Sequence, residues 1–190
     1  MTTALQNKQL WRIEDLPPLK IGYLPAFKTA EGYQQHIGNT FGFETWHWSI
    51  LGNSHPADMF SGLDYSNGES INKGVARTLL SEQQYRHMRI YKPDIPDKEI
   101  DKLGPSILKR MDYYGKAGYD WLGVGNMSLW FILRHFGVKW WMQRDMRFWC
   151  LEFSNQIWAD FDFPLCDMAE PANPLNFEHS PQLKLVWGTF

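Results

Sequence analysis

Apolar residues recur at every second position in short runs along the first half of the chain, and at three- and four-residue intervals along most of the second half. The alternation is strictest in TWHWSIL, residues 45–51, where Trp46, Trp48 and Ile50 point one way and Thr45, His47 and Ser49 the other. That period of two predicts a strand with one apolar and one polar face. LKIGYLPAF (19–27) reads as a short strand carrying Ile21 and Tyr23, with a turn at Pro25 and a glycine-rich loop after it. GNSHPAD is a turn, DMFSGL a short strand, and SNGESINKGVART a hairpin-like segment with Gly68 and Gly74 at turn or bulge positions. HMRIYKP (87–93) is a further strand stopped by Pro93.

Beyond Pro93 the period changes. DKEIDKLGPSILKRMDYYG predicts a helix broken at Gly104-Pro105, followed by helical segments over 127–136 and 147–161. The tail from Cys166 to the last residue is punctuated by Pro and Asn and ends in a strand at LKLVW. Strands grouped ahead of helices predict an α+β domain. Its bounds are 1–190, with a polar arm over 1–18 and a loop-rich tail over 166–190.

Length and charge narrow the function classes. A chain of 190 residues buries a full core without staples. A net charge of −2 with mixed signs gives neither a nucleic-acid footprint nor an anionic-membrane patch. WLGVGNMSLWFILRHFGVKWW is interrupted by Asn126, Arg134, His135 and Lys139, so it predicts a buried or interfacial helix and no membrane span. The N-terminus lacks a cationic segment followed by an apolar one, so no secretion signal is read and a cytoplasmic location in the producing cell is expected. Two cysteines without a CxxC pair suggest neither zinc nor a disulfide scaffold. Ten Trp, 12 Phe and 8 Tyr can fill a core or line a groove.

Cys150 is the first candidate for chemistry. Phe153, Ser154, Ile157, Trp158 and Phe161 follow it along one helical face, so Cys150 turns toward the interior. Two readings stand there: a small buried hydrophobe, or a nucleophile whose thiolate is favoured by a helix N-terminus and an imidazole. His47, mid-strand between Thr45 and Ser49, is the best-placed imidazole, and it also reads as an ordinary strand histidine. Asp112 and Asp120 have no carboxylate partner at a spacing that suggests a glycosidase pair. Glu152, two residues and about 200° round the helix from Cys150, reads as a structural or supporting residue.

The order WHWSIL, NGESINKGVART, HMRIYKP, YDWLGV, FWCLEFSNQIW resembles the circularly permuted NlpC-type papain-like cysteine hydrolases, which are related to the lecithin:retinol acyltransferase-like enzymes. The resemblance covers roughly residues 19–187. It implies a papain-like domain, with an antiparallel, partly barrel-like sheet packed against helices. It implies Cys150 as nucleophile, His47 as base and Glu69 as the group orienting the imidazole, with Asn67 or His55 as substitutes. Tyr119 and the backbone at the helix start, Leu151 included, would hold an oxyanion. No metal or organic cofactor is implied. The substrate would be a peptide, a peptidoglycan amide or an acyl ester, and the relatives' occurrence in bacteriophages implies cell-wall processing or a place in a virion. The alternative is a catalytically inactive structural or binding component of a larger assembly. Three features depart from the family pattern: Leu151 stands where serine is common, Ile21-Gly22-Tyr23 replaces Gly-Asp, and Asp145 is the nearest N-cap candidate before Cys150.

Overall fold

The computed structural model describes residues 16–28, 32–52, 61–65, 75–79, 87–114, 118–138, 147–168 and 171–190. In chain order the first elements are β1 (Leu24–Lys28), α1 (Tyr33–Phe41), β2 (Thr45–Trp48), β3 (Ile50–Leu51), β4 (Ser61–Tyr65), β5 (Val75–Leu79) and β6 (Met88–Pro93). They are followed by α2 (Asp97–Tyr114), β7 (Gly118–Tyr119), α3 (Trp121–His135), β8 (Arg147–Phe148), α4 (Cys150–Ala159), α5 (Pro174–Glu178) and β9 (Leu183–Gly188).

Four strands form an antiparallel sheet in the order β2-β1-β6-β9. The α+β expectation holds. Among the described residues the sheet is not the partly barrel-like one expected, because β2 and β9 are left as its edges and it does not close. The run 45–51 leaves the four-stranded sheet instead of curling round it: β3 pairs with β4, which pairs with β5, in a separate sheet. Backbone bonds still tie the run to the start of β1, from Ser49 N–H to the Pro25 carbonyl (2.9 Å) and from Leu51 N–H to the Tyr23 carbonyl (2.7 Å). A third, two-stranded pair, β7 with β8, is parallel.

The central strands β1 and β6 are buried along most of their length, as strands covered on both faces are. For that reason the polar face expected for 45–51 is not a solvent face. Thr45 (0% exposed) and Ser49 (4%) lie inside, beside Trp48 and Ile50 at 0%. Thr45 is satisfied there: its hydroxyl accepts the Trp48 indole N–H (2.9 Å) and donates to the Glu178 carboxylate, which also takes its N–H. The same carboxylate accepts the Glu44 N–H at 3.0 and 2.9 Å. So α5 clamps the entry to β2, and Phe177 meets Trp48 edge-on at 5.1 Å. Asn173 starts α5 by accepting the Asn176 N–H at 3.0 Å, with Pro174 at the first helical position.

Two helices differ from the expected pattern. The glycine-rich stretch after β1 contains α1, which lies between Gly32 and the left-handed Gly42; these are terminators that allow a helix between them. The break expected at Gly104-Pro105 is absent, and α2 runs through Pro105. Proline costs a helix one hydrogen bond, but the buried stripe Ile100, Gly104, Ile107, Met111 and Tyr114 continues on both sides of it, and Ile21 lies so near that a Cβ at Gly104 would be 3.6 Å from it.

Gly22 holds the layers together. Its φ is +91°, a conformation that side chains resist. Its carbonyl accepts the Trp158 indole N–H at 3.1 Å, and a Cβ there would lie 2.7 Å from Trp158 Cζ2 and 2.9 Å from Ile107 Cδ1. Gly22→Ala is therefore expected to destabilise the protein by about 2 to 3 kcal/mol in denaturant titration, through strain and overpacking together. An unchanged midpoint would remove this contact from the framework. Glu178→Ala is expected to cost about 1 to 3 kcal/mol by stranding the buried Thr45 groups. Its signature is faster amide exchange at Glu44 and Thr45 than in β6.

Candidate functional site

Cys150 is the first residue of α4. The helix thus begins three residues later than the 147 expected from the sequence. The helix cannot start earlier, because Arg147–Phe148 is a strand paired with Gly118–Tyr119 and Trp149 is still extended (φ −93°, ψ 175°). The α-helical bonding begins with Phe153 N–H donating to the Trp149 carbonyl at 2.9 Å. The N–H groups of Cys150, Leu151 and Glu152 precede it, and a helix offers such groups to an anion.

The helix is buried on more sides than the expected single face: Leu151, Glu152, Phe153, Ser154 and Asn155 are all inside. Cys150 itself is partly exposed, whereas Cys166, the loop cysteine, is buried; neither is in a disulfide. Ser154 returns its hydroxyl to the Cys150 carbonyl at 3.1 Å. Leu151 is 2% exposed, so only its backbone can serve an oxyanion.

His47 lies on β2, the strand against which α4 packs. It is half-buried and stacks on Phe27, its cross-strand partner on β1, with ring centroids 5.4 Å apart and an angle of 18°. The backbone of Tyr119 pairs with Phe148, two residues before Cys150, so β7 runs beside the entry to α4. The third residue expected from the sequence, Glu69, and its substitutes Asn67 and His55 all lie outside the described residues. His36, His87 and His179 are exposed.

Two buried acids flank the entry to α4. The peptide joining Phe148 to Trp149 is held at both ends: its carbonyl accepts the Asp120 N–H at 3.2 Å, and its N–H donates to Glu152 Oε2 at 3.4 Å. Asp120 is 2% exposed and Glu152 7%. Burial, opposed by the Trp149 hydrogen bond and reinforced by the charge of Asp120, pushes the Glu152 carboxyl up to about 8. The Glu152 carboxylate turns back onto the backbone three residues earlier. That role was legible as the reciprocal half of a capping box, glutamate three residues after the N-cap; an aromatic N-cap in place of serine hid it. Among the described residues no group of three or more His, Cys, Asp or Glu side chains could hold a metal ion. No described helix is long and apolar enough to cross a membrane.

No protein-family model matches the chain. No curated protein matches it either. Among solved structures, the fold is similar to that of the metalloprotein YiiX from Escherichia coli O157:H7, assigned to DUF1105, with a TM-score of 0.56 at 12% identity over 90% of this chain and 98% of that one. At that identity the likeness shows a shared fold. It also corrects the recognition drawn from the sequence, since it points to a different family from the circularly permuted NlpC-type hydrolases and their lecithin:retinol acyltransferase-like relatives. The motifs that carried the resemblance are short, and the structure gives two of them packing roles: Glu152 of Trp-Cys-Leu-Glu anchors a helix entry, and Asp120 of Tyr-Asp-Trp-Leu-Gly bonds through its backbone to β8.

Proposed function

We propose that the chain is a cysteine hydrolase acting on an amide or ester, with Cys150 as nucleophile and His47 as general base. The observation that carries this reading is the placement of Cys150. It is a partly exposed cysteine at the first position of a ten-residue helix, and that helix packs on the strand bearing His47.

The chemistry follows from those two groups and the helix start. His47 takes the thiol proton, and the sulfur attacks the carbonyl carbon, forming an S–C bond while the C=O electron pair moves onto oxygen. Backbone N–H groups of the first turn of α4 hold that oxyanion. Collapse breaks the bond to the leaving nitrogen or oxygen, which takes the proton from His47. Water, deprotonated in turn by His47, attacks the thioester, and the S–C bond breaks to restore Cys150. YiiX is a metalloprotein, whereas among the described residues here no three His, Cys, Asp or Glu side chains are grouped so as to hold an ion. A peptide, a peptidoglycan cross-link or a lipid ester fits this chemistry.

Two experiments test the reading. Iodoacetamide is expected to modify Cys150 well before Cys166 in the folded protein, and His47→Ala is expected to slow Cys150 about tenfold or more while leaving Cys166 unchanged. Burial alone explains slow Cys166, so the His47 dependence is the decisive arm; its absence removes His47 as the base. A thiol-directed acyl probe is expected to label native protein at Cys150 and to fail on Cys150→Ser. Native protein that neither takes the probe nor hydrolyses any amide or ester would instead support a structural or binding component of a larger assembly.

A further inference from the structure

The hydrolytic mechanism leaves Glu152 and Asp120 without a task, although both are buried acids beside the segment that leads into Cys150. Burying an acid without purpose is costly. Asp120 and Glu152 come from different elements, yet they meet opposite ends of one peptide group. The backbone N–H of Asp120 holds the Phe148 carbonyl, and the side chain of Glu152 holds the Trp149 N–H. That peptide is where the parallel β7–β8 pair stops and α4 starts, so its plane fixes the direction in which the first turn leaves the strand. A rotation there would swing the Cys150 side chain and the first-turn N–H groups together.

We propose that Glu152 is a positioning residue for Cys150, its buried carboxyl holding the Phe148–Trp149 peptide through the Trp149 N–H. This rests on the hydrolase reading. A neutral acid has an acceptor for the Trp149 N–H without setting a second negative charge beside Asp120, and the raised affinity of Glu152 for its proton agrees with that state. Of the elements packed on α4, β2 presents His47, whose ring lies over Phe27. On α2, Arg110 and Tyr114 are engaged with Asp160, which is eight residues and about 12 Å along the helix from Glu152. β8 contributes Arg147 to the sequence, and the junction of β7 with α3 contributes Asp120.

The sign of the pH dependence follows. A carboxyl that binds its proton more tightly when folded stabilises the protein fully below its unfolded value of 4.5, and this stabilisation is lost as pH rises through about 8. Glu152→Gln keeps shape and acceptor without ionising, so it should flatten that part of the profile, while Glu152→Ala removes the acceptor at every pH.

The test uses the full chain and two readouts. Amide exchange at Trp149, corrected for intrinsic rate, is expected to lose protection by about tenfold between pH 7 and 9 in native protein, to stay protected in Glu152→Gln, and to be unprotected throughout in Glu152→Ala. Single-turnover acylation of Cys150 by p-nitrophenyl acetate at pH 7 is expected within about twofold of native in Glu152→Gln and at least tenfold slower in Glu152→Ala. Melting curves identify any variant that fails to fold, in which case Glu152→Gln alone decides by its pH profile. Exchange at Trp149 that is equal in native and Glu152→Gln at all pH values overturns the neutral-acid role. Acylation in a folded Glu152→Ala at the native rate overturns the positioning role and leaves the hydrolase reading intact. Native protein that is not acylated, with the expected exchange pattern, retains the clamp and removes the hydrolase.

Discussion

The contact of Trp158 with Gly22 is the constraint on which the arrangement depends. Only a residue without a Cβ lets the indole approach this closely, and the carbonyl of that residue satisfies the buried indole N–H. The Gly22 N–H is used as well, donating to the Leu51 carbonyl at 2.8 Å. One glycine thus joins the chain entering β1, the strand β3, the helix α4 and, through Ile107, the helix α2. Because a helix is stiff over two turns, fixing α4 at Trp158 also fixes the path of its first residue across the sheet.

The same logic explains how these large aromatic residues are buried with their polar atoms satisfied. Trp48, Trp158 and Trp187 are fully enclosed. Three indoles show where their N–H groups go: Trp48 to the Thr45 hydroxyl, Trp158 to Gly22, and Trp149 to the Ala172 carbonyl at 3.0 Å. Each bond links elements or segments apart in sequence or turns a strand residue inward. The aromatic surplus that composition left open between core and groove is, for these residues, core.

Legibility in the sequence followed the range of the forces involved. The strand around Trp46 and Trp48 was readable because alternation is local, and the helix carrying Cys150 because its apolar spacing is. The burial of Thr45 and Ser49 was not readable, since it depends on what α5 and the neighbouring strand bring, α5 from more than a hundred residues away. Pro105 misled for the opposite reason: its local penalty is real, but the stripe from Ile100 to Tyr114 outweighs it. The start of α4 was misplaced because the competing structure at Arg147–Phe148 is a pairing with Gly118–Tyr119, which no periodicity announces. Cys150 and His47 could be nominated from residue type and local setting; the helix-to-strand packing that relates them could not.

The pairing of β6 with β9 has a kinetic consequence. Arg89 faces Gly188 and Ile90 faces Trp187, so partners nearly a hundred positions apart must meet before the fourth strand is in place. Arg89 then stacks its guanidinium over the Phe190 ring at 4.3 Å and donates to the Phe190 carbonyl at 3.2 Å, interactions that exist only once that strand has docked. Closing so long a loop loses chain entropy before the bonds and packing that offset the loss have formed. The protein therefore has the topology of a slow folder, in which β6 waits with one edge unpaired and open to pairing with another chain.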